Sequence, residues 1–93
     1  MSYNANFWNN YETWNIHLWH GDTFREDAAM YLKVADGDRD IAIAYLAGHI
    51  EGIIYEWAPG LPNSPYTDIL YAALAEVDYR ELAEFYMSDE ARV

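Results

Sequence analysis

The fold of this chain is decided by residues 39–57, which read RDIAIAYLAGHIEGIIYEW. Apolar side chains recur there every three or four residues, the spacing of one face of an α-helix. That face consists of Ile43, Leu46, Ile50, Ile53, Ile54 and Trp57. Asp38 can cap the helix, and Asp40 lies in its first turn, where the helix dipole favours an acid. We predict a central helix over 39–57.

Gly48 and Gly52 lie on nearly the opposite side of this helix, four residues apart. Because glycine has no side chain, we expect another backbone to approach closely at these positions. The helix should therefore have neighbours on two sides.

Two further helices are predicted on the N-terminal side. The first spans about 10–20, begins at an asparagine cap, Asn9 or Asn10, and ends at Gly21. Its Trp14 and Leu18 are expected to lie in the core.

The second of these helices spans about 23–35. We expect Thr23 and Glu26 to form a capping box at its start, because each side chain can accept a hydrogen bond from a backbone N–H that has no partner within the helix. Asp36-Gly37 follows its last turn as the stop signal.

Two helices are predicted on the C-terminal side. Ser64 followed by Pro65 begins one, and Asp78 begins the other with Glu81 completing a capping box. The expected core positions of these helices are Tyr66, Ile69, Leu70, Ala73, Leu74, Val77, Leu82, Phe85 and Tyr86. No alternating β pattern is present, so we predict an all-α fold, a compact single acidic domain over 1–93 with about five helices.

The composition is that of a packed protein, with 53% hydrophobic and 17% aromatic residues. The absence of cysteine excludes disulfides and cysteine-ligated metals, and indicates a reducing compartment. The longest apolar stretch, Ile41 to Trp57, is interrupted by charged residues and is too short to span a bilayer.

The formal net charge is −11, from 16 acidic residues against five basic ones. Such a charge argues against direct binding to nucleic acid or to anionic lipid and favours a basic partner.

Three histidines could in principle carry chemistry. His17 and His20, with Glu12 and Asp22 nearby, resemble a metal site only superficially, because the carboxylates are out of helical register with both imidazoles. We expect His20 to complement the dipole at a helix end instead. His49 and Glu51 match half of a zinc deaminase signature whose required cysteines are absent. We therefore predict no metal, no cofactor and no enzymatic activity.

The acidic residues are concentrated in two patches. Carboxylates at helical spacing lie about 5–6 Å apart, which is similar to the step between phosphates along one DNA strand. An acidic helical surface can therefore imitate a nucleic-acid backbone, although many acidic residues serve only solubility or helix capping. The residues expected to form this acidic surface are Glu26, Asp27, Asp36, Asp68, Glu76, Glu81 and Glu84.

Residues 10–19, which read NYETWNIHLW, resemble the N-terminal motif of small proteins of phages and other bacterial mobile elements. The resemblance implies a mobile-element product that acts in the cytoplasm of a bacterial host. Small acidic proteins of that origin include anti-CRISPR and anti-restriction inhibitors of host defence.

The leading hypothesis is an anti-CRISPR protein that mimics DNA. It would bind a basic nucleic-acid-binding subunit of a CRISPR effector complex and block target DNA by charge and steric exclusion. The alternative is a small adaptor that binds a protein partner through exposed aromatic residues such as Trp8, Trp19 and Tyr55. A metal-dependent enzyme ranks below both.

Overall fold

The computed structural model describes residues 8–60 and 62–91, which form four α-helices and no β-strand. The helices are α1 (Tyr11–Val34), α2 (Arg39–Trp57), α3 (Pro65–Glu76) and α4 (Tyr79–Ala91). The all-α prediction is confirmed, whereas the expected number of about five helices is wrong by one. The two helices expected before residue 36 are a single helix.

This long helix, α1, continues through Gly21, so the capping box expected from Thr23 and Glu26 does not form. Gly21 is buried, and a Cβ added there would lie 3.2 Å from the Tyr86 hydroxyl and 2.9 Å from Nδ1 of His17. Glycine inside a helix costs about 1 kcal/mol relative to alanine. The packing that its small size permits against α4 offsets that cost.

The N-terminal caps of the four helices follow the sequence prediction closely. The cap side chains accept backbone N–H groups three residues ahead, Asn10 from Thr13 at 2.9 Å, Asp38 from Ile41 at 3.2 Å, Ser64 from Thr67 at 3.3 Å and Asp78 from Glu81 at 3.0 Å. Each bond satisfies an amide that lacks a partner within the helix. These local signals therefore position the start of every helix.

The turn between α1 and α2 is also the predicted one. Gly37 donates its N–H to the Leu32 carbonyl at 2.9 Å, and Asp36 donates to the Lys33 carbonyl at 3.0 Å. This bond pair is the Schellman arrangement that ends many helices. Asp36, with φ of 55°, occupies the left-handed position that glycine more often fills.

The core lies between α1, α2 and α4, which pack against one another, while α3 packs mainly on α1. Of the expected core residues, Leu46, Ile50, Leu74 and Leu82 are buried. Ile53 and Leu70 are half-buried and pack against the core from its edge. Within the described part of the chain, no helix combines the length and apolar content needed to cross a membrane.

Several expected contacts are wrong. Leu18, Tyr66 and Ile69 are exposed, because α3 covers only part of α1 and turns much of its own apolar surface to solvent. Outside the backbone of α2 itself, no atom of residues 8–60 or 62–91 lies within 4 Å of a Cβ built at Gly48 or Gly52, so no other described backbone approaches that side of α2. The exposed apolar surface of α3 and the small-residue side of α2 are therefore both open.

Candidate functional site

Five members of the acidic surface are exposed, namely Glu26, Asp36, Asp68, Glu76 and Glu84. They lie on α1, the following turn, α3 and α4. Glu84 is an ion-pair partner of Arg80 at 3.6 Å, with both side chains more than half exposed. Within the described residues, no side chain pairs with the carboxylates of Glu26, Asp68 or Glu76. These three are therefore open negative charges.

Asp27 is different, because its carboxylate faces α2. Its Oδ2 lies 3.0 Å from Nε2 of His49, and both side chains are less than one third exposed. The imidazole also contacts the ring of Tyr31, at a centroid distance of 5.3 Å. Asp27 thus joins α1 to α2. The carboxylate that His49 contacts is that of Asp27, whereas Glu51 is exposed on the same helix as His49.

Glu81 is also held within the fold. Its two carboxylate oxygens accept the backbone N–H of Asn9 at 3.1 Å each, so it does not complete the predicted capping box with Asp78. Burial raises the pKa of Glu81, the Asn9 hydrogen bond opposes that change, and the nearby Asp78 and Glu84 carboxylates add to it. The partly buried Glu81 carboxylate therefore binds a backbone amide of the same chain.

The N-terminal motif forms a polar connection between α1 and the α3–α4 junction. Thr13 is fully buried, and its hydroxyl accepts the Asp78 N–H at 2.8 Å and donates to the Asn10 side chain at 2.6 Å. The Asn10 amide in turn donates to the Glu76 carbonyl at 2.6 Å. The sequence analysis did not predict this role. The polar pair Asn10 and Thr13, three residues apart beside an apolar stripe, could have indicated a buried hydrogen bond.

The aromatic residues of the adaptor hypothesis divide into two groups. Trp8 is buried against His17 and Phe85, at ring centroid distances of 4.8 and 5.1 Å, so its expected exposure is wrong. Trp19 is 72% exposed and Tyr55 is 37% exposed. Trp8 is therefore excluded as a surface anchor, while the other two stay available.

The two histidines of the N-terminal segment have separate surroundings. Nδ1 of His17 lies 2.8 Å from the Tyr86 hydroxyl, whereas His20 packs against Trp57 at a centroid distance of 5.1 Å. His20 lies in the middle of α1, so its expected place at a helix end is wrong. No group of three or more potential ligands is gathered among residues 8–60 and 62–91.

The basic residues are distributed very unevenly. No lysine or arginine occurs between Arg39 and Arg80, a stretch that includes nearly all of α2 and the whole of α3. Arg39 donates to the Ser88 hydroxyl at 2.8 Å, and Arg25 lies 3.7 Å from Asp22. The fixed side-chain charges of α3 are therefore all negative.

An open apolar groove of about 160 Å³ is lined by residues of α1 and of α3 with the following Val77. Its principal lining residues are Tyr11, Glu12, Ile16, Leu70, Leu74 and Val77. The lining residues Leu70, Leu74 and Val77 were expected to lie in a closed core, and the sequence carried no signal that they would border a gap. No protein-family model, curated protein or solved structure matches this chain.

Proposed function

We propose that this protein inhibits a basic nucleic-acid-binding protein by occupying its DNA-binding groove, and that the target is a CRISPR surveillance complex. The observation that carries the proposal is the set of open carboxylates Glu26, Asp68 and Glu76, which no basic side chain of the described residues neutralises. Unpaired surface charges of one sign attract a partner of opposite sign and accelerate its association.

The choice of partner follows from charge and from the N-terminal motif. A groove that binds DNA collects lysine and arginine, which a chain of net charge −11 complements. The resemblance of residues 10–19 to mobile-element proteins supports a host defence complex as the target. Asp27 and Glu81 have partners inside the fold, so we assign contact with the target to the exposed members of the acidic surface.

The test is competition with DNA. Purified guide-loaded CRISPR complexes of several types are mixed with labelled target DNA, and bound DNA is measured as this protein is added. The expected result is that DNA and protein exclude each other from at least one complex. The inhibition should weaken as salt is raised, because salt screens contacts between exposed charges.

A matched pair of triple variants identifies the surface. Glu26→Gln, Asp68→Asn and Glu76→Gln together should leave the melting temperature nearly unchanged and weaken inhibition. The control removes the same number and types of charge from α2, through Asp40→Asn, Glu51→Gln and Glu56→Gln. Equal inhibition by the first variant and the parent, or simultaneous binding of DNA and protein, would contradict the proposal.

The adaptor function is the second candidate, and it is favoured by the exposure of Trp19, Tyr66 and Ile69, at 72%, 76% and 67%. Exposed apolar side chains of this size are typical anchors in protein interfaces. An adaptor complex should persist at high salt and should be lost in Trp19→Ala or Tyr66→Ala. The charge-neutral triple variant should bind such a partner as the parent does.

A further inference from the structure

The groove between α1 and α3 interrupts the apolar layer beneath α3. Leu74 and Val77 at its base are buried, while Ile16 and Leu70 on its walls are only half-buried. Tyr11 at one end is 52% exposed. The groove is thus an opening from solvent onto the apolar contact between the two helices.

Its volume suits one side chain. The groove measures about 160 Å³, and a cavity of roughly 150 Å³ lined by aliphatic residues accepts a benzene molecule. A branched aliphatic or aromatic side chain would therefore fill it. A water molecule in the groove would form few hydrogen bonds, because the lining offers few polar groups besides Glu12 and Asn15.

The charge near the groove indicates which charged residues should flank that side chain in the partner. Glu12 lines the rim, and the charged side chains of α3, Asp68 and Glu76, are both acidic, although neither lines the groove. Neither wall carries a basic residue, since none occurs before Arg25 or between Arg39 and Arg80. A basic segment is attracted to this rim, whereas an acidic segment or a second copy of this chain is repelled.

We propose that this groove binds one apolar side chain from a basic segment of a partner protein, with a neighbouring lysine or arginine contacting Glu12. The inference rests on the proposed function and specifies how a basic partner is anchored. Charge supplies long-range attraction, and the groove supplies a contact that requires a fitting apolar side chain.

The test uses three synthetic peptides and NMR spectra of the unmodified protein. The first peptide has a central phenylalanine between pairs of lysines, the second has alanine in place of phenylalanine, and the third has glutamate in place of lysine. The first should cause saturable shifts at Ile16, Leu70 and Ala73. The alanine peptide should bind roughly tenfold more weakly or worse, because it buries much less apolar area. The glutamate peptide should not bind.

Two matched variant pairs locate the contact. Ala73→Met should fill the groove and abolish the response, whereas Ala72→Met, on the exposed neighbour that does not line the groove, should preserve it. Glu12→Gln should weaken binding of the lysine peptide more than Glu56→Gln does. Melting temperatures establish first that each variant is folded.

Equal shifts with the phenylalanine and alanine peptides, or unchanged binding by folded Ala73→Met, would overturn the inference. The outcome is separable from that of the proposed function. If the peptide binds in the groove while the charge-neutral triple variant inhibits like the parent, the mimic proposal fails and the groove remains. If that variant loses inhibition while no peptide enters the groove, only the groove inference fails.

Discussion

The hydroxyl of Thr13 accepts the backbone N–H of Asp78 at 2.8 Å and joins the first turn of α1 to the cap of α4 across 65 residues of chain. The same hydroxyl donates to Asn10, whose side chain reaches the Glu76 carbonyl. Asn10 and Thr13, at the start of the N-terminal motif, therefore hold α1, α3 and α4 together. This structural role is compatible with either proposed function, because it fixes α3 and its carboxylates relative to α1.

Thr13→Val should destabilise the protein by roughly 1–3 kcal/mol, because the partly buried Asp78 N–H loses its acceptor. Thr13→Ser keeps the hydroxyl and should lose less. Thr23→Val, at an exposed position of the same helix, serves as the control and should stay within about 0.5 kcal/mol of the parent. Urea unfolding measures all three, and a Thr13→Val variant as stable as the parent would refute the bridging role.

Gly21→Ala and Gly48→Ala should change stability in opposite directions. A methyl at Gly21 would lie 2.9 Å from the His17 imidazole, which is itself held by Tyr86, so overpacking should cost about 1–3 kcal/mol. A methyl at Gly48 meets no described atom within 4 Å beyond its own helix backbone, so the helix preference of alanine should stabilise by about 0.5–1 kcal/mol. Thermal melts of both variants test this, and stabilisation by Gly21→Ala would contradict the packing.

Glu81 should make stability depend on pH in a definite direction. Burial raises its pKa in the folded protein above the ordinary value near 4.5, so the folded state binds this proton more tightly than the unfolded state does. Its contribution to stability should be complete below the ordinary pKa and should be lost as pH rises through the raised one.

The difference in unfolding free energy between the parent and Glu81→Gln measures this contribution. It should shift in favour of the parent as pH is lowered through the raised pKa towards 4.5. The same comparison with exposed Glu56→Gln gives the effect of removing one surface charge. A shift in the opposite direction at Glu81 would show that hydrogen bonding from Asn9 outweighs burial.

Ile50→Ala should destabilise by roughly 2–5 kcal/mol, through lost burial and a residual cavity, because Ile50 is fully buried on α2. Ile53→Ala should have a smaller effect, because that side chain is only half-buried, so less apolar area is lost and water can fill the space that it leaves. Urea unfolding of both variants provides the comparison. A larger loss of stability in Ile53→Ala than in Ile50→Ala would mean that α2 packs with a different face towards the core.

The sequence alone predicts the all-α fold class, the negative charge and the residues at which the four helices begin. Asn10, Asp38, Ser64 and Asp78 were all predictable caps, because each bonds to an amide only three residues ahead. Such bonds depend on local backbone geometry and need no distant partner.

Contacts between helices account for the continuity of α1, the burial of Trp8 and Thr13, and which carboxylates reach solvent. The local sequence at Gly21 predicts a helix end, but α1 continues there and Tyr86 from α4 packs against the glycine. Glu81 reads as half of a capping box, but its partner is Asn9, 72 residues away in the chain. The groove between α1 and α3 depends likewise on how two helices dock. Local patterns specify which face of a helix is apolar, whereas only the packed arrangement determines how much of that face is covered.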